Sequence, residues 1–149
     1  MTSGRATPVI EEQPASDDLA VTERGLVEHA VAQGVEPRNH RSLTLFVRNG
    51  EGRVVGGLVG TTVWGWLQVT QLWVDDAIRG AGHGTALMRA AEAEAVRRGC
   101  HHALLDTFDF QARGFYERLG YEVLGEVLDF PRGHTRFFMR KMLDGGSPG

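Results

Sequence analysis

A chain of 149 residues, 42% hydrophobic and 23% charged, fits one compact globular domain and leaves little room for a second. Its formal net charge of −3 argues against nucleic acid as a main partner, because backbone phosphates call for clustered Lys and Arg. Its apolar runs are cut by Gly, Arg or Gln before reaching the roughly 20 residues of a membrane helix, so no membrane partner is expected. The first residues carry no apolar signal region, and the only cysteine, Cys100, has no internal partner for a bridge. A reduced, cytoplasmic setting is the expectation.

Residues 1–5 read as a loose leader and residues 144–149 as a frayed tail, which leaves 6–143 as the domain. Thr7 to Gln13 reads as a first strand. Ser16 then offers an N-cap, Asp17 and Asp18 suit the positive end of a helix dipole, and Gly34 marks the stop. Leu43 to Val47 is a β-rich run, the turn Asn49-Gly50-Glu51-Gly52 follows, and Val54 to Val63 makes the return strand. Trp64 to Val74 completes an antiparallel meander.

After Asp75-Asp76 the period changes from 2 to 3.6. Leu87, Ala91 and Ala95 form a narrow stripe of a helix that can lie flat on a sheet, and Gly99 ends it. A short strand at Ala103-Leu104-Leu105, a short helix from Gln111 to Leu119, and strands at 123–128 and 135–142 follow. A meander followed by strand–helix–strand–helix–strand implies an α/β fold. The sheet is mixed and mostly antiparallel, with about seven strands and helices on both faces.

The run Leu72-Trp73-Val74 leads through Asp75-Asp76-Ala77-Ile78 into Arg79-Gly80-Ala81-Gly82-His83-Gly84-Thr85 and then a long helix. A strand–glycine turn–helix gathers backbone N–H groups that have no intrahelical acceptor, and the helix dipole adds positive potential. Such a place suits an anion, typically a diphosphate. Glycines at 80, 82 and 84 remove side chains that would hold phosphate away, and Arg79 adds a fixed positive charge. A tight packing turn is the plain alternative. A Walker P-loop fails for want of a Lys, and a dinucleotide-binding site fails because a meander precedes the loop.

The stretch Leu72 to Ala86, with Arg79-x-x-Gly82-x-Gly84, resembles the acetyl-CoA signature of the GNAT superfamily of N-acyltransferases. Phe115-Tyr116-Glu117-Arg118-Leu119-Gly120-Tyr121 is similar to that family's second signature, at the expected distance downstream. The order of elements agrees over nearly the whole chain, most strongly over 43–143. The resemblance implies that the two central strands splay beside the glycine loop and that the pantetheine arm of acetyl-CoA pairs with the backbone of Leu72, Trp73 and Val74. Arg79, Gly80, Ala81, Gly82, His83, Gly84 and Thr85 would hold the pyrophosphate, with Ala112 and Tyr116 also at the cofactor.

Many members carry Asn seven residues before the signature tyrosine, where it orders the cofactor arm. Here that position is Asp109, and a carboxylate cannot donate the hydrogen bond an amide could.

The resemblance makes Tyr116 the catalytic residue, a general acid toward the departing thiolate. The acceptor is expected to be a primary amine of a small molecule. A peptide or protein amine is an alternative, and so is a non-catalytic module that senses acyl-CoA. An alkyl amine is mostly protonated at pH 7, and its reactive form lies roughly 4–5 kcal/mol higher, so something must take the proton. Asp106, Asp109 and Glu126 are candidates, with Thr70 and Gln71 as substrate-side polar groups.

No activated Ser or Cys is evident, so attack is direct. The acceptor pocket is expected from the N-terminal helix, the loop after it and the last strands. No metal is expected: His101 and His102 are adjacent, and on a strand they point to opposite faces. A homodimer is allowed by family habit and by the aromatic last strand at Phe137-Phe138.

Overall fold

A computed structural model describes residue 4 and residues 6–143, so the expected loose termini fall almost wholly outside the described residues. The chain divides into two compact units, one reaching Arg38 and one beginning at Asn39. The first unit holds one helix, α1 (Ser16–Ala32), with Ala15 rather than Ser16 at the N-cap. Asp17 and Asp18 occupy its first turn, and Gly34 follows its C-cap at φ +86°. None of its residues is buried.

The strand expected at 7–13 is absent. Pro8 removes a ladder donor from that segment, Pro14 follows it directly, and Val9 and Ile10 lie 77% and 92% exposed. The described sheet therefore has six strands rather than seven.

The second unit contains β1 (Arg41–Arg48), β2 (Val54–Val63), β3 (Trp66–Val74), α2 (His83–Arg97), β4 (His102–Phe108), α3 (Arg113–Arg118), β5 (Glu122–Leu128) and β6 (Thr135–Met142). The sheet order is β1-β2-β3-β4-β6-β5, antiparallel throughout except for the parallel β3–β4 pair. Asn49 makes the first hairpin turn by accepting the N–H groups of Glu51 and Arg53 on its side-chain oxygen. Trp64 and Gly65, both at positive φ, make the second.

The core covers one face of this sheet. Leu67, Val69, Ala103, Leu105, Phe137 and Met139 share that face by register, and Leu87, Met88, Ala91 and Ala95 of α2 pack onto it. The stripe of small residues lets the helix axis come close. Burying such a set of side chains stabilises the fold by roughly 1.5–3 kcal/mol for each large aliphatic one.

Two polar ties complete the packing. Arg98 donates to Ser42 O and Thr62 Oγ1, joining the end of α2 to β1 and β2. Buried Glu92 accepts from Tyr121 Oη and Lys141 Nζ, each at 2.8 Å. No helix among the described residues is long and apolar enough to cross a membrane.

Candidate active site

The parallel β3–β4 ladder closes only from Trp66/His102 to Val69/Leu105. Beyond it, β3 stays with β2 and β4 stays with β6, so Thr70–Val74 and Asp106–Phe108 part from each other. The cause is local. Between Gly60/Val69 and Val59/Gln71 the register slips, leaving Thr70 as one extra residue on β3. Such a bulge bends its strand. Thr70 Oγ1 donates to Val59 O and holds the bend. Gly60 permits it, because a Cβ there would lie 2.5 Å from Gln68 O.

The gap is part of a cleft of about 940 Å³ lined from β3, the glycine loop, the start of α2, β4 and α3. Its walls include core-face residues (Leu105, Thr107) and Asp106 of the opposite face, so the cleft cuts through the sheet.

At one end stands the glycine loop. A single 3₁₀ turn, Asp76–Ile78, follows β3, and Gly80 and Gly82 take φ of +84° and +82°, where a side chain is strained. A Cβ at either would meet nothing within 4 Å. Gly84 differs: a Cβ there would touch the Phe115 ring at 3.4 Å, so α2 and α3 lie in close contact at this position. Gly82 caps α2 without a side-chain hydrogen bond, and the first turn holds no acidic residue. The first N–H groups of α2 therefore have no helical acceptor, and their positive potential is uncompensated locally. Arg79 folds back, donating from Nε to Val74 O and pairing with Asp76 at 2.8 Å.

At the other end stands Tyr116, in the short helix α3 and only 8% exposed. Its ring meets Phe115 and Tyr121 edge-on. Its hydroxyl has no hydrogen-bond partner among the described residues. Burial, with a further contribution from the charge of Asp106, pushes its pKa up to about 12. The hydroxyl is thus a proton-bearing donor at any ordinary pH.

Of the residues singled out from sequence, Leu72, Trp73, Val74, Arg79, Gly80, Gly82, His83, Gly84, Thr85, Ala112 and Tyr116 line this one cleft. Ala81 and Asp109 do not. Asp109 spends both oxygens elsewhere: Oδ1 meets His134 Nδ1 at 2.8 Å and Oδ2 accepts Thr135 N–H at 2.9 Å. Burial pushes its carboxyl up, but the bonds from His134 and the backbone outweigh it and the net shift is down.

The proton-acceptor candidates also separate. Asp106 lines the cleft, together with Thr70 and Gln71. Glu126 lies exposed on β5 opposite Phe137, away from it. Phe110 and Gln111 also line the cleft, and sequence reading did not single them out. Gln111 Oε1 accepts from Thr107 and from Phe108 N–H; the sequence pattern starts the short helix at Gln111, whereas α3 begins at Arg113 and leaves Gln111 in the turn before it.

Fold and site define the class as an α/β protein with a glycine-loop cleft cut through the centre of its sheet. The model of the acetyltransferase (GNAT) family matches residues 13–121. The chain is 46% identical to a blasticidin-S acetyltransferase from Streptomyces morookaense over 93 residues, 62% of this chain and 68% of that one. It superposes on a crystal structure of an Agrobacterium tumefaciens protein with a TM-score of 0.83 at 33% identity, covering 93% of this chain and 100% of the other. For an acetyltransferase from Bacillus cereus the TM-score is 0.79 at 31% identity, with 91% and 98% covered. The chain belongs to the GNAT family and is an acetyltransferase.

Proposed function

We propose that this acetyltransferase moves an acetyl group from acetyl-CoA to a primary amine of a small molecule by direct attack. One observation carries the reading. A single cleft has unsatisfied helix N–H groups and open glycines at one end, unpaired strand backbone along its length, and a buried phenol beside a carboxylate at the other. The relative named a blasticidin-S acetyltransferase supports a small-molecule acceptor.

The N–H groups at the start of α2 would take the pyrophosphate, whose oxygens fit where a Cβ at Gly80 or Gly82 would otherwise be. The β3 backbone from Leu72 to Val74 would pair with the amides of the pantetheine arm. Asp106 is the carboxylate best placed to hold the acceptor ammonium and take its proton. The freed nitrogen then forms a bond to the acetyl carbon, the carbon–sulfur bond breaks, and the electron pair leaves on sulfur.

Tyr116, which lines the same cleft, would meet that sulfur with a held proton. A phenol near 12 opposite a thiol near 8.5 makes full proton transfer about three to four units uphill. Tyr116 therefore serves by donating a hydrogen bond to the developing thiolate. The nitrogen loses its second proton as it becomes the amide; of the two protons the acceptor gives up, one ends on the thiol and the other passes to solvent.

The test is thiol release from acetyl-CoA with a pooled panel of small amines, read with a thiol reagent. Release above the uncatalysed rate supports the reading. Clear acetyl-CoA binding with no release for any amine would overturn it in favour of an acyl-CoA sensor.

A further inference from the structure

The sheet face opposite the core carries a guanidinium whose hydrogen bonding is unfinished. Arg136 on β6 lies directly across from Phe108, and its neighbour on that face, Phe138, lies across from Asp106. The guanidinium carbon stands 4.9 Å from the ring centre of Phe130, 5.0 Å from Phe138 and 5.6 Å from Phe108. Nε donates to Asp106 Oδ2 at 2.8 Å. The Nη donors have no acceptor among the described residues, and Asp106 Oδ1 accepts nothing there either. Both side chains are a little under one third exposed, so these free groups are reachable from solvent.

Three rings and one carboxylate fix the plane of a fork that is otherwise mobile. A fixed guanidinium with its outer edge open is a preorganised carboxylate receptor. The charges decide what fits. A plain monoamine approaching Asp106 meets the positive Arg136 one hydrogen bond away, and the two fields largely cancel. An acceptor bearing both an ammonium and a carboxylate meets a complementary charge at each end.

We propose that Asp106 and Arg136 together form an acceptor subsite for amines that also carry a carboxylate, with the ammonium on Asp106 and the carboxylate on the Arg136 fork. The proposal rests on the acetyl-transfer reading in one respect: it takes the end of the cleft beside Tyr116 as the acceptor end. The class selected is therefore amino acids and larger metabolites with an amino-acid-like group. Phe108 and Phe130 extend the same surface and suit a flat or apolar remainder.

The test is equilibrium binding by calorimetry to the protein saturated with CoA, which cannot react. The probes are α-, β- and γ-amino acids, aliphatic and aromatic, each beside its own carboxamide. At least one acid should bind ten-fold or more tightly than its amide. Arg136→Met keeps the stem against the rings and should erase that advantage by weakening the acids, while the carboxamides bind at least as tightly as before because the opposing charge beside Asp106 is gone. Arg136→Lys keeps the charge without the fork and should reduce the advantage several-fold, which decides the matter if the Met variant does not fold.

A residue that merely braces Asp106 would affect acids and amides alike. Equal affinities across the panel, no binding by any member, or an advantage that survives Arg136→Met would overturn the proposal. The two readings fail separately. Thiol release from many amines without a carboxylate preference removes the subsite alone. Selective binding of acids with no thiol release removes acetyl transfer alone.

Discussion

Replacing Tyr116 by Phe deletes one oxygen from a side chain that is 8% exposed and packed edge-on against Phe115 and Tyr121. Because that hydroxyl bonds to nothing among the described residues, no buried partner is orphaned. The expected stability change is within about 0.5 kcal/mol of zero. The rate is another matter. Losing one donor aimed at developing charge in a water-poor site costs about 3–4 kcal/mol, so kcat should fall roughly 10²–10³-fold. The apparent affinity for acetyl-CoA should change less than about three-fold, because the interaction exists mainly in the transition state.

The pH dependence follows from the same residue. Its pKa is raised, so the donating form is the protonated one and persists until the pH rises through about 12. Between pH 7 and 10 the wild-type profile should contain no falling limb that belongs to Tyr116. The assay is initial-rate thiol release, with melting temperature as a control. An unchanged kcat would refute the role, and so would an alkaline fall near pH 9 that disappears in the Phe variant.

Gly82→Leu places a side chain at φ +82° in the open space of the loop. Acetyl-CoA binding by calorimetry should drop at least about 100-fold, and binding within a few-fold of wild type would refute the anion site. Gly60→Ala drives a Cβ to 2.5 Å from Gln68 O. The melting transition should drop by about 1–3 kcal/mol and acetyl-CoA affinity should fall with it, because the bulge at Thr70 moves; unchanged affinity would show that the bulge does not set the gap. Tyr121→Phe removes one of two donors to buried Glu92 and should cost about 1.5–3 kcal/mol in denaturant unfolding with little effect on kcat.

Strong local signals in the sequence carried most of the architecture. The alternation of β1 to β3 and the Asn49 turn gave the meander, and the stripe Leu87, Ala91, Ala95 is fully buried as its spacing requires. The expected strand at 7–13 failed because only Thr7, Val9 and Ile10 of its seven residues favour a strand, and Glu11-Glu12-Gln13 break the alternation. Two prolines nearby made such pairing harder.

At the site, the glycine loop and Tyr116 were legible as motifs, whereas their meeting in one cleft was not, since it depends on a strand pair that opens halfway. Gly84 lines the cleft as its place in the motif suggests, and it also lies against the ring of Phe115 thirty-one positions away, a contact no local pattern announces. Asp106, Asp109 and Glu126 were equivalent carboxylates in sequence. Only the register of β4, β5 and β6 separates the one in the cleft from the one tied to His134 and the one at the surface.

The half-open β3–β4 pair has a consequence for the protein without its substrate. Most sheets expose unpaired peptide groups only along their outer rims. This one carries a second rim inside the molecule, from Thr70 to Val74, facing Asp106 to Phe108 across the split. Any extended chain of the right width can lie against such a rim, including a stray peptide or a neighbour's tail. A bound pantetheine arm would act as a plug. Colloidal behaviour on storage should then track donor occupancy more closely than melting temperature, with self-association of the empty protein suppressed by CoA at concentrations that fill the slot.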